Sequence, residues 1–99
     1  KVFRAAVSPD GKNVIYTIQI EGKESLWLRQ LETGGNTEII PPSDETYLGL
    51  DFSPDNNYIY FVRREKDENI LSALYRISIF GGIPEKIVPR IEGWFSLSP

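Results

Sequence analysis

The sequence predicts an all-β fold made of repeated four-stranded antiparallel units. Three observations carry that prediction. A turn motif returns at equal spacing: Ser8-Pro9-Asp10-Gly11, Ser53-Pro54-Asp55-Asn56 and a closing Ser98-Pro99 start 45 residues apart. The segments between the turns are short and rich in β-branched and aromatic residues. No stretch sustains a 3.6-residue apolar period, so essentially no helix is expected.

The first strand is expected over Phe3 to Val7, with its counterpart over Tyr47 to Phe52. The second is Asn13 to Gln19, matched by Tyr58 to Arg63, and the third is Ser25 to Leu31, matched by Ala73 to Ile79. A short fourth strand, Glu38 to Ile40, is matched by Glu85 to Val88, and Trp94 to Leu97 opens a third unit. The alignment runs at an offset of 45 through Val14-Ile15-Tyr16 and Ile59-Tyr60-Phe61. It then moves to 48, placing Trp27 over Tyr75, Leu31 over Ile79, Gly34 over Gly82 and Pro41 over Pro89. The extra residues of the second copy fall near Arg64 to Asn69.

The turns have a chemical logic. Pro9 fixes φ for the first central position of a type I turn and Asp10 suits the second. Gly11 then takes the left-handed conformation that leads into the next strand. Asn56 stands at the equivalent position and is the non-glycine residue that best tolerates it. Gly34-Gly35 and Gly81-Gly82 are expected to turn the chain between third and fourth strands, and Pro41 and Pro89 to end the fourth strand at a sheet edge.

Four antiparallel strands per roughly 45 residues is the period of a β-propeller blade. Tyr58-Ile59-Tyr60-Phe61-Val62 has no polar side, as a sheet covered on both faces requires. The expected organisation is therefore a blade over residues 1–46, a second over 47–91, and the first strand of a third over 92–99. An eight-stranded β-sandwich is the runner-up, but it would not explain the equal spacing of the turns.

The Ser-Pro-Asp-Gly turn, followed by Ser25-Leu26-Trp27-Leu28-Arg29-Gln30-Leu31-Glu32-Thr33-Gly34 and by Leu74-Tyr75-Arg76-Ile77 with Gly81-Gly82-Ile83-Pro84, resembles the TolB-type, WD-like propeller repeat. It is similar to the propeller sensor regions of bacterial receptor-type serine/threonine kinases. The resemblance covers the whole chain and implies a non-catalytic scaffold for protein–protein interaction, extracytoplasmic in its setting. The Trp-Asp and Gly-His signatures of true WD repeats are absent, as are kinase motifs. Related propellers gate prolyl-oligopeptidase-like serine peptidases, which supplies the alternative function. No Gly-x-Ser-x-Gly pattern is present, so on that reading the chain is only part of the gate.

Composition narrows the chemistry. The 99 residues contain no Cys, His or Met. Disulfides, thiolate metal sites and His-dependent hydrolase chemistry are excluded. The missing Met suggests that residue 1 is not a translation start and that the chain derives from something longer. The net charge of -3 argues against a nucleic-acid surface. No apolar run approaches the roughly 20 residues of a membrane span, and no signal peptide is visible.

No catalytic, cofactor-binding or metal-ligating residue is assigned, and no cofactor. Asp10 and Asp55 are read as shaping their own turns, which need not converge. Asp44-Glu45 with Asp51 lacks the alternating ligands and sharp-turn glycine of a calcium loop. Arg63 to Asn69 reads as a solvated, charged hairpin tip, with partner contact as the lesser reading. Trp27 and Tyr75 are expected to pack between blades rather than stack on a ligand. The glycine pairs have no helix behind them to cradle phosphate, and the serines have no base to activate them. The expected partner is a protein or the chain itself. Two-sided blades favour a head-to-tail ring, and a trimer or tetramer would fall within the usual blade range. In such a ring the Phe3–Val7 and Trp94–Leu97 segments would compete for one innermost position, so one is displaced or swapped.

Overall fold

The computed structural model describes residues 2–64 and 72–91. They form eight strands: β1 (Val2–Val7), β2 (Asn13–Ile20), β3 (Lys23–Gln30), β4 (Asn36–Ser43), β5 (Thr46–Phe52), β6 (Tyr58–Arg64), β7 (Ser72–Ser78) and β8 (Gly81–Ile91). They make two four-stranded sheets, ordered β1-β2-β3-β4 and β5-β6-β7-β8, with every neighbouring pair antiparallel. The expected strand at Trp94–Leu97 and most of the charged insertion lie outside the described residues.

The Ser-Pro-Asp turns fold alike in both sheets. Gly11 N–H donates to Ser8 C=O at 2.9 Å and Asn56 N–H to Ser53 C=O at 3.1 Å. Gly11 has φ +73° and Asn56 +67°, as the left-handed assignment requires. Each serine hydroxyl donates to the aspartate two residues on, at 2.5 and 2.6 Å. Each aspartate in turn accepts a backbone N–H at 3.0 Å, from Lys12 and from Asn57.

The copies also share irregularities that the sequence reading missed. Pairing slips between Val2 and Arg4 on β1, and at the equivalent Tyr47 and Gly49 on β5. It slips again where Leu26 and Trp27 meet Ile40 and Glu38, and where Leu74 and Tyr75 meet Val88 and Lys86. The second slip leaves a residue unpaired in each copy, Ile39 or Ile87, two positions before the proline.

Two expectations about β4 and β8 are corrected. Pro41 and Pro89 do not end their strands: β4 runs on to Ser43 and β8 to Ile91. Both are edge strands, and the preceding bulge resets the pairing, so a missing N–H is tolerated within the strand. The Gly81-Gly82 pair does not form the β7–β8 turn. Ser78 pairs with Gly81, so the turn falls on Ile79-Phe80 and the glycines open β8. Their φ values of +94° and +110° suit the irregularity there, a conformation open to glycine alone at little cost. Gly34 does turn the chain between β3 and β4, at φ +75°.

One core joins the sheets. Ile15, Leu26, Leu28, Ile39 and Ile40 of the first pack with Tyr47, Phe52, Ile59, Phe61, Ala73, Tyr75 and Ile77 of the second. Phe61 stacks on Tyr75 with centroids 5.2 Å apart and meets the tilted Tyr47 ring at 5.4 Å. Such aromatic contacts add about 0.5–1.5 kcal/mol each beyond area burial.

Candidate functional site

Strand alternation gives each sheet one face in the shared core and one turned outward. On the first sheet the outward positions are Val7, Val14, Tyr16 and Trp27, with Val7↔Val14 and Tyr16↔Trp27 as cross-strand pairs. Val7 is 58% exposed; Val14, Tyr16 and Trp27 are half-buried. Their polar ends are satisfied locally, Tyr16 Oη donating to Asn36 at 2.6 Å and Trp27 Nε1 to Ser25 Oγ at 2.9 Å. The second sheet sets Tyr58, Tyr60, Val62, Leu74 and Arg76 on its other face, where Val62 and Leu74 are buried and Tyr58 is exposed. There Arg76 lies 4.6 Å over the Tyr58 ring and bonds Glu85 at 2.6 Å. These outward faces are the first candidate feature.

A second feature is a polar cleft between the sheets, of about 390 Å³, lined by Arg4, Gln19, Glu24, Thr46 and Tyr47. Arg4 Nε donates to the Tyr47 carbonyl at 2.8 Å, and the Glu24 carboxylate accepts the Tyr47 N–H. Glu24 is buried, and burial pushes its carboxyl above the usual range despite that bond and nearby Arg4. Burial likewise pushes the Tyr47 phenol up to about 12, with the Arg63 cation acting against it. Among the described residues, Ser43 Oγ, Tyr47 Oη and Arg63 Nε are buried without hydrogen-bond partners. This end of the interface is thus a polar plug, and it was not read from the sequence. Glu24 stands one residue before the expected third strand and carries no motif.

The residues weighed in the sequence divide as follows. Asp10 and Asp55 do shape their own turns, and the serine hydroxyls hold both carboxyls below the usual range, with backbone bonds helping. The turns nevertheless converge: Asp10 N–H donates to Asn56 Oδ1 at 3.2 Å. Stacking brings the sheets together at this end as well as at the cleft.

Asp44 pairs with Lys23 at 3.0 Å, Glu45 lies 3.9 Å from Arg63, and Asp51 accepts the Phe52 N–H at 2.8 Å. The structure does not bring these three acids to one point. Arg63 is not part of a solvated tip. Its guanidinium lies 4.4 Å from the Tyr75 ring centroid and 5.5 Å from that of Phe61, inside the interface. Of the aromatic pair, Tyr75 packs between the sheets while Trp27 sits on the outward face.

No family model and no curated protein matches the chain. Solved structures do. A putative TolB from Agrobacterium tumefaciens superposes with a TM-score of 0.72 at 23% identity, over 89% of this chain and 30% of that one. The β-propeller domain of the Trilobed protease from Pyrococcus furiosus superposes with a TM-score of 0.63 at 18% identity, over 89% and 29%. The chain folds as β-propeller blades. It spans about 30% of the length of the first of these structures.

Proposed function

We propose that the chain is part of a non-catalytic β-propeller scaffold for protein–protein interaction, completed into a ring by association of its chains. The observation that carries this reading is the outward placement of apolar and aromatic side chains on the two sheets, Val7, Tyr16 and Trp27 on one and Tyr58 and Tyr60 on the other, with Val7 58% and Tyr58 37% exposed. Sheets covered on both sides are built to be stacked, and exposed patches of this kind mark interaction surfaces. The absence of His and Cys from the sequence favours binding over catalysis. The likeness to a TolB structure supports an extracytoplasmic setting.

The test is mass in solution together with chemistry. Light scattering at micromolar concentration is expected to give a particle of several chains, and peptide and ester substrates to remain intact. A monomer would refute the ring. Turnover that persists through repurification and vanishes on a single serine substitution would refute the scaffold.

The likeness to a protease propeller favours one second reading, a segment of a peptidase gate. It predicts that the chain binds a separate hydrolase domain and changes which peptides that domain admits.

A further inference from the structure

We infer that the polar cleft between the two sheets binds a small zwitterion of the amino-acid class, its ammonium held at Glu24 and its carboxylate at Arg4. The inference goes beyond the scaffold reading and does not rest on association of chains, because both walls of the cleft belong to one chain.

Strand alternation explains why these groups meet. Arg4 pairs with Thr17 and Gln19 with Glu24, so all of them lie on the side of the first sheet that carries the core. Beyond the last apolar layer that side becomes polar, and the start of β5 brings Thr46 and Tyr47 to face it. The space between is about 390 Å³, within the range of small-molecule sites. Each of the five lining residues carries a hydrogen-bonding group.

The charges beside the cleft are paired with one another. Lys23 bonds Asp44 at 3.0 Å, and Glu45 lies 3.9 Å from Arg63. Among the described residues, neither Arg4 nor Glu24 has an ion-pair partner. Arg4 gives its Nε to the Tyr47 carbonyl at 2.8 Å, which fixes the guanidinium and leaves both terminal nitrogens for a carboxylate. Glu24 is only 5% exposed and accepts the Tyr47 N–H, which leaves most of its acceptor capacity unused. Burial holds its carboxyl above the usual range, so a cation brought to it offsets a penalty already present in the fold. Arg4 acts on Glu24 through space without bonding it.

The two unpaired charges select the ligand. A metal ion needs several oxygen ligands, and Glu24 is the one carboxylate of the lining set. A simple anion at Arg4 would be opposed by Glu24, and a simple ammonium at Glu24 by Arg4. A molecule with both charges on neighbouring atoms meets both. Gln19 and Thr46 can each donate and accept, which suits a polar side chain on that molecule.

The experiment follows the backbone amide resonances of the parent protein as each free L-amino acid is added to millimolar concentration. At least one is expected to shift Gln19, Glu24, Thr46 and Tyr47 in a saturable way. The N-acetyl form of that amino acid lacks the ammonium and its amide form lacks the carboxylate. Each is expected to bind about tenfold or more weakly, the scale of one lost charge-assisted contact. Thr46→Trp fills the cleft from an exposed position and is expected to abolish the shifts while circular dichroism stays sheet-like. Amino acids that leave the four resonances unmoved would overturn the inference. So would capped forms that bind as well as the zwitterion, or binding unchanged in a folded Thr46→Trp protein.

Discussion

At the residue scale, the turn positions and the buried acid decide most. Gly11 has φ +73° and open space where a Cβ would go, so substitution there is a matter of backbone conformation and not of crowding. Gly11→Val is expected to cost about 1–2 kcal/mol, because a β-branched residue is forced to positive φ. Gly11→Asn is expected to cost less, since Asn56 adopts that conformation at the equivalent position. Denaturant melts of both variants check this; equal costs would show that the left-handed turn is not what the glycine serves. The acids give a pH signature with two signs. Asp10 and Asp55 are held below 3.8 by their serine hydroxyls, so their contribution is present above 3.8 and is lost as pH falls through the folded values. Glu24 is held above 4.5 by burial, so its contribution is fully present below 4.5 and is lost as pH rises through the folded value. The parent is therefore expected to gain stability relative to Glu24→Gln as pH falls from 7 toward 4.5. Parallel curves for the two proteins would remove Glu24 as the cause.

At the element scale, the strands were legible because their chemistry is local. The β-branched and aromatic runs at Val14-Ile15-Tyr16 and Ile59-Tyr60-Phe61 needed no tertiary information, and the Ser-Pro-Asp turns signalled themselves. The β4 and β8 ends were not legible, because proline's effect depends on the pairing of the strand that holds it. The edge position of Pro41 and Pro89 was legible, but only the fold shows the bulge before each and the strand that runs on past it. The β2–β3 hairpin is a similar case. Ile20 pairs with Lys23 across Glu21-Gly22, and both turn residues have positive φ, +54° and +80°. That is a two-residue type I′ loop, for which Asn-Gly is the favoured sequence. Glu21→Asn is accordingly expected to stabilise the protein by about 0.5–1 kcal/mol, part of the cost of holding a non-glycine residue left-handed. A lower denaturation midpoint would show that Glu21 makes a compensating contact.

At the scale of the whole molecule, the question is whether the two sheets unfold as one. The contacts between them were the least legible part, since Arg63 read as part of a solvated tip and Glu24 and Arg4 carry no motif. Stacked, they clamp one end of the interface, while Asp10 and Asn56 meet at the other. Between the clamps the core is common property. Phe61 is fully buried in the core that the two sheets share, with its ring against Tyr47 and Tyr75. Phe61→Ala should cost about 3–5 kcal/mol, the usual range for an emptied aromatic site. The informative part is where the loss is felt. If each sheet were stable alone, the variant would weaken β5–β8 and spare β1–β4. A single four-stranded sheet of this size with one open face has little independent stability, so the loss should reach β2 and β3 in full. Trp27 reports on the first sheet once Trp94 is replaced by Phe, and amide exchange reports on β6. Below the concentration at which chains associate, both probes are expected to shift by the same free energy in Phe61→Ala. A Trp27 transition left at the parent midpoint would show two separable units joined by contact alone.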